Sequence, residues 1–356
     1  MTRKANLLAA TASVAVIALA LPASADTLRL LTWGGYAPED VVAKFEAETG
    51  HTVEVTLSNN EEMIAKLRAT AGGGFDLAQP SQDRISGPQT EFGIYKPMDM
   101  SKIDTALFIP SMLEATMANT TVDGEVYGVP HVWGTSGLVM NTAEAGDVVK
   151  DYTDLCDPAV AGKVSYRLKR PTLIGFAYAM GLDPFAAYGD EAAYTAIMEQ
   201  VEAKLVECKP NVKTYWEGGD ELMNLVRSGE VVAAMAWDTG GWKLNADNPD
   251  ITFVAPASGA LGWIDTFVLP AKGQADDAAY AWINFVMQPE VAAMITAAAG
   301  NFTASAGADA FAEDVEGAVS GQLPPEAVDN IKWYPPVPAG LEAIEGGVLD
   351  RVNAAQ

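Results

Sequence analysis

Between residues 27 and 78 the chain alternates strand and helix patterns, and this stretch constrains the fold more than any other. Residues 27–32 (TLRLLT) have strand character and run into Trp33-Gly34-Gly35-Tyr36, a tight turn between two aromatics. Pro38, followed by Glu39 and Asp40, opens a helix, because proline suits the first turn and acids there complement the macrodipole. Val41, Val42, Phe45 and Thr49 fall on one side of it, and Gly50 ends it. A second strand, 52–57, precedes Ser58-Asn59-Asn60-Glu61, which reads as a capping box for a helix over 62–70. Three glycines break that helix, and a third strand, 75–78, runs into Pro80-Ser81-Gln82-Asp83. The pattern predicts a parallel α/β sheet, whose ligands gather beyond the carboxyl ends of the strands. Those ends are 33–36, 58–61 and 81–83, and each carries aromatic or polar groups beyond what a turn needs.

The N-terminus predicts export. Arg3 and Lys4 precede an apolar, small-residue run over 7–21, and Ala23-Ser24-Ala25 supplies a cleavage site after Ala25. Pro22 closes a run that is short for a membrane span. Removing Arg3 and Lys4 with the signal takes the formal charge from −25 to −27. Such a surface repels phosphate, which excludes a nucleic-acid partner, and it favours the approach of a cationic solute. The two cysteines, Cys156 and Cys208, read as a disulfide in an oxidising compartment. His51 and His131 stand far apart in no ligating pattern, so neither a metal nor another cofactor is expected. A length of 356 residues suggests about two domains.

Farther along, residues 127–141 form one long extended stretch, suited to crossing between lobes as a hinge strand. A basic patch, Arg167-Leu168-Lys169-Arg170, interrupts the acidic chain and reads either as a solvated loop or as an anion-recognising one. Helical character dominates 174–205, with a break at 181–184. The strand 231–236 ends at Trp237-Asp238-Thr239-Gly240, repeating the earlier arrangement of strand, aromatic, polar residue and glycine. Gly262-Trp263-Ile264-Asp265 then leads into an apolar run. On a strand Trp263 and Asp265 share a face and Ile264 takes the other. An aromatic beside a carboxylate suits an organic cation, since ring quadrupole and charge both attract it. The competing reading makes Trp263 core and Asp265 the solvated end of a strand.

The order of Trp33-Gly34-Gly35-Tyr36-Ala37-Pro38, Phe75-Asp76-Leu77, Pro80-Ser81, Tyr127-Gly128-Val129-Pro130, Trp133-Gly134, Ser228-Gly229-Glu230-Val231 and Trp263-Ile264-Asp265 resembles the spermidine/putrescine-binding family of ABC-importer solute-binding proteins. The resemblance spans essentially the whole mature chain. It implies an α/β, two-lobe periplasmic binding protein fold with crossing hinge strands. Lobe one would be residues 26–134 plus 264–308, and lobe two 135–263 plus 309–356. It also implies a periplasmic location, a small-molecule amine ligand and an inner-membrane ABC permease as partner; a monomer is expected. In that family aromatics box an aliphatic polyamine and carboxylates take its ammonium groups. Trp33, Tyr36, Ser81, Trp237, Trp263 and Asp265 fall on such positions, with Trp133 in a matching stretch and Asp238 after the second-lobe tryptophan. Asp83 stands where relatives tend to have an aromatic.

One departure concerns the segment after Gly162, where polyamine binders place acids for the far amine. Here it holds Arg167, Lys169 and Arg170. The alternative ligand is therefore zwitterionic, such as an amino acid derivative, an opine-like compound or an acylated polyamine, with the basic loop Arg167–Arg170, Arg170 included, taking its anionic end. Among rival functions, an enzyme lacks a GxSxG motif or a Cys/His pair, and a ferric-ion binder lacks paired tyrosines. A sugar binder would need more Asn, Asp and Arg at the strand ends.

Overall fold

The computed structural model describes residues 26–311, 327 and 330–355. The expected signal segment lies outside the described residues, as does most of 312–329. Twelve strands form one curled sheet. Its path runs Thr52–Leu57, Thr27–Thr32, Leu77–Ala78, Leu261–Pro270, Gly128–Asn141, Ala233–Trp237, Val164–Tyr166, Val212–Tyr215. The first three strands are parallel, with Leu28 opposite Val53 and Leu30 opposite Leu77. This is the sheet that the alternating pattern predicts. Beyond Leu77–Ala78 the pairing turns antiparallel through the two long strands, then parallel again from Ala233–Trp237 to Val212–Tyr215.

The two long strands serve two cores. Val129 and Val132, with Phe267 and Leu269, enter one that also holds Leu28, Leu30, Phe45, Trp282 and Ile283. Leu138, Met140 and Leu261 enter another, with Tyr152, Tyr166, Phe176 and Tyr194. Each fully buried side chain of this size contributes roughly 2–3 kcal/mol. The same two strands therefore belong to both packed bodies, and Trp263 touches both. The C-terminal helix Leu341–Ala354 packs on the second body through Leu341, Val348 and Val352.

Local signals mostly act where expected. The helix Glu39–Thr49 buries Val41 and Phe45 and stops at Gly50, whose φ of 77° is left-handed. The next helix differs: it spans Asn60–Ala69, and its cap is Asn59 rather than Ser58. The Asn59 side chain accepts from the amide of Glu62, three residues on, which is the capping-box spacing shifted by one. The break after Gly181 separates Arg170–Ala179 from Glu191–Cys208, so the first of these helices begins at Arg170, four residues before the expected start. Cys156 and Cys208 are joined, tying the turn Tyr152–Cys156 to the end of Glu191–Cys208. Among the described residues no helix is long and apolar enough to cross a membrane.

Candidate functional site

A cleft of about 570 Å³ lies between the two bodies. Strand ends supply much of its wall. Trp33 follows Thr27–Thr32, Arg167 follows Val164–Tyr166, Trp216 follows Val212–Tyr215, and Trp237 ends Ala233–Trp237. Trp263 and Asp265 line it from the crossing strand, whereas Ile264 does not. The turn after the first strand needs its glycine: Gly35 has φ of 87°, and a Cβ there would meet Ala299 Cα at 2.8 Å.

Asp265 is aimed by a bulge. Ile264 pairs with Trp133 and Thr266 with Pro130, so His131 and Val132 lie opposite one residue, Asp265. Both the amide and the hydroxyl of Thr266 donate to the carbonyl of Pro80, at 2.9 and 2.7 Å, which pins the bulge to the first body. The Asp265 carboxylate is 4% exposed. Its Oδ1 accepts from Ser81 Oγ at 2.6 Å and its Oδ2 from the Tyr36 hydroxyl at 2.6 Å. Ser81 is held in turn by both ends of the Asn60 amide at 2.9 Å. Burial pushes the Asp265 carboxyl up to about 7, the Ser81 and Tyr36 hydrogen bonds pull it partly back, and the Asp83 charge raises it further. No cation figures among these causes. Burial and the adjacent Asp265 carboxylate keep the Tyr36 phenol protonated, so it stays a donor.

Trp33 is held by its Nε1 donating to Gln79 O at 2.8 Å. Gln79 also meets His131 Nδ1 at 2.6 Å, and the His131 ring lies edge-on to Tyr36, 5.4 Å between centroids. Burial lowers the pKa of His131 to about 3, so it stays neutral and serves as packing for the Tyr36 side of the cleft.

Of the residues singled out from sequence, Trp33, Tyr36, Ser81, Asp83, Arg170, Trp237, Trp263 and Asp265 line the cleft. Trp133 does not. It pairs with Ile264, on the face turned away from Asp265, and packs on Phe302 at 5.2 Å and Trp333 at 6.3 Å. Asp238 does not line it either. It opens the helix Asp238–Asp247, and its oxygens accept from Thr135 N and Oγ1, Thr239 N and Asn301 Nδ2 at 2.7–3.0 Å. Burial raises its pKa to about 6, and those hydrogen bonds moderate the rise. It is a staple between the crossing strand Gly128–Asn141 and the residue after Pro289–Ala299–Gly300.

Asp83 and Arg170 bind each other. Arg170 Nη1 lies 2.6 Å from Asp83 Oδ2 and its Nε 3.0 Å from Glu345 Oε1, with a further hydrogen bond to the Tyr188 hydroxyl. Its guanidinium also covers the Tyr334 ring at 5.0 Å. The carboxylate facing the Arg170 side of the cleft is thus already matched, and Arg170 does not present a free charge. Beside it Arg84 holds Glu342 at 2.5 Å and Glu61 at 3.2 Å. These pairs join the first body to the C-terminal helix.

One cleft residue, Trp216, escaped the sequence reading, and one member of the expected basic loop, Arg167, stands apart from the others. The Arg167 guanidinium lies 5.3 Å from the Trp216 ring and 5.2 Å from the Trp237 ring, and its Nε is buried with no hydrogen-bond partner. Trp216 and Trp237 meet edge to face at 5.1 Å. The rule that pointed to Trp33, residues directly after a strand of the sheet, points equally to Arg167 and Trp216.

Two α/β bodies joined by crossing strands around a ligand-sized cleft lined by aromatic and charged side chains of both signs define a two-lobe solute-binding protein. Residues 40–320 match the family described as bacterial extracellular solute-binding protein. The chain belongs to that family, in its periplasmic spermidine/putrescine-binding branch. It is 30% identical over 288 residues to spermidine/putrescine-binding periplasmic protein 1 of Haemophilus influenzae, covering 80% of this chain and 76% of that one. It is 25% identical over 310 residues to the putrescine-binding periplasmic protein PotF of Escherichia coli, covering 81% and 80%. Among solved structures, the spermidine/putrescine ABC transporter substrate-binding protein PotD from Streptococcus pneumoniae superposes with a TM-score of 0.70 at 21% identity, covering 93% and 99%.

Proposed function

We propose that this protein is the extracytoplasmic receptor of an ABC importer and captures a small organic amine, polyamine or polyamine-like, whose ammonium pairs with Asp265. The observation that carries this reading is a carboxylate 4% exposed, held by two hydroxyls and matched by no cation among the described residues, in the wall of a tryptophan-lined cleft. A buried carboxylate of this kind is costly until a cation joins it. Trp33, Tyr36 and Trp263 surround the position with aromatic surface. Each ring contact contributes about 0.5–2 kcal/mol, so three with one buried ion pair reach micromolar affinity, about −8 kcal/mol. The relatives, a spermidine/putrescine-binding and a putrescine-binding periplasmic protein, support the same ligand class.

In this reading the protein is a carrier and not an enzyme, exported to the periplasm after cleavage behind Ala25, and monomeric. Lobe one comprises residues 26–134 plus 264–308 and lobe two 135–263 plus 309–356. Ligand closes them about the crossing strands, and the closed form docks on an inner-membrane permease. Isothermal titration of the mature protein with putrescine and spermidine tests the amine reading. Saturable binding that Asp265→Asn abolishes is the expected result; a folded protein that binds no amine would overturn it. A second reading, a zwitterionic ligand, is favoured by the guanidinium of Arg167, which lies over two tryptophan rings and forms no ion pair within 4.0 Å among the described residues.

A further inference from the structure

We infer that Arg167 binds a carboxylate at the far end of the ligand, so that the substrate class is the linear amino acids with a terminal amine rather than the diamines. This rests on the reading that Asp265 takes the ammonium. The charges of the cleft wall are mostly spent on one another. Arg84 lies within 4.0 Å of three carboxylates and Arg170 of two, Asp83 being shared between them, and Lys169 lies 3.8 Å from Glu217. Arg167 is different: among the described residues it forms no ion pair within 4.0 Å, its guanidinium lies over the Trp216 and Trp237 rings, and the Glu61 and Glu217 carboxylates act on it only at longer range. Its Nε is a buried donor with nothing to donate to. Buried donors are almost always satisfied, and Arg167 Nε shares its orphaned state with Trp263 Nε1 and the Tyr334 hydroxyl of the same cleft wall; of the three only Arg167 carries a charge suited to an anionic group of the ligand.

The same geometry argues against a second ammonium. The Trp216 and Trp237 faces, which would attract one, already carry a guanidinium, and an incoming cation would meet like charge. The planar fork of arginine matches a carboxylate with two parallel hydrogen bonds, each charge-assisted. The competing arrangement places the far amine of a diamine on Asp220, an exposed acid at the cleft edge.

Calorimetry on the mature protein decides between them, using terminal-amino acids of four to six carbons and the diamines of equal length. At least one amino acid is expected to bind about tenfold or more tightly than its matched diamine, and Arg167→Gln is expected to weaken that amino acid by about tenfold or more while diamine binding holds or improves. Arg167→Lys, which keeps charge without the fork, guards against a folding defect and should reduce the amino acid preference. A wild type that prefers diamines, with either variant leaving the preference unchanged, overturns the inference. Loss of that diamine binding in Asp265→Asn would show that the amine reading survives it. If Asp265→Asn instead binds both ligand series as wild type does, the amine reading fails and this inference with it.

Discussion

The Tyr36 phenol donates to the Asp265 carboxylate at 2.6 Å across 229 residues of sequence. One partner follows the first strand of the sheet and the other sits in the bulge of a crossing strand, so the bond ties the first body to the hinge. Together with the Ser81 hydroxyl it leaves Asp265 oriented but uncompensated. Such an arrangement costs stability in the free protein and returns it when a cation arrives.

Binding should release a proton at mildly acid pH. Burial puts Asp265 at about 7 in the free protein, so near pH 6 it is mostly protonated. An ammonium ligand selects the ionised form and stays charged itself, as alkylamines ionise near 10. Affinity should therefore fall by about tenfold per pH unit below 7 and level off above it. Titrations in buffers of different protonation enthalpy should give different apparent heats near pH 6 and equal heats near pH 9. Equal heats at both would contradict the proposed role of Asp265.

Asp265→Asn should stabilise the free protein at high pH. The native pKa of about 7 lies above the unfolded value of 3.8, so the native state binds the extra proton between these values. The contribution of this group thus falls as pH rises from about 4 to 7, by up to roughly 4 kcal/mol at 1.36 kcal/mol per tenfold. The variant should melt above wild type near pH 8, with the gap closing toward pH 4. Taking the difference cancels Asp238, raised to about 6 and acting in the same sense, and His131, lowered to about 3 and acting oppositely below its unfolded pKa. A gap independent of pH would sink the argument.

Gly134→Ala should weaken amine binding without touching the ligand. Gly134 pairs with Trp263 across the crossing strands, and a Cβ there would meet the ring at 2.7 Å and Asn301 Nδ2 at 2.9 Å. The ring must shift, at an overpacking cost of roughly 1–3 kcal/mol. Loss of one aligned ring contact should lower affinity by about tenfold. Calorimetry with putrescine, paired with tryptophan fluorescence, reads both effects; unchanged affinity with shifted fluorescence would remove Trp263 from the site.

The parts of this site legible in sequence are those governed by local periodicity. Trp263 and Asp265 share the cleft face because strand side chains alternate, and Trp33 lies at a carboxyl end because its strand joins a parallel sheet. The joined cysteines followed from count and compartment. Asp238 and Trp133 were misplaced for a different reason. A carboxylate after a strand can serve ligand or helix cap equally, and Thr135 and Asn301, which claim it, come from distant stretches. Trp133 pairs with Ile264, and that pairing depends on the bulge at Asp265, which no residue pattern announces. Within the basic loop Arg167–Arg170 the sequence does not show which arginine is already paired, because the Arg170 partner Glu345 lies 175 residues on.

Arg170→Met should separate architecture from recognition. Arg170 is 4% exposed and holds Asp83 at 2.6 Å and Glu345 at 3.0 Å. Removing it takes the cation from buried Glu345 and leaves Asp83 only the Arg84 guanidinium at 3.9 Å, and breaking a buried pair from one side costs roughly 3–5 kcal/mol. The loss should appear as a lower melting temperature in the free protein. Discrimination between amino acid and diamine should hold, because the guanidinium removed was already matched by protein carboxylates and offered the ligand nothing. The two arginines are three residues apart in one basic patch, yet their neighbours assign them opposite tasks. A variant that keeps its melting temperature but loses the amino acid preference would reverse those assignments.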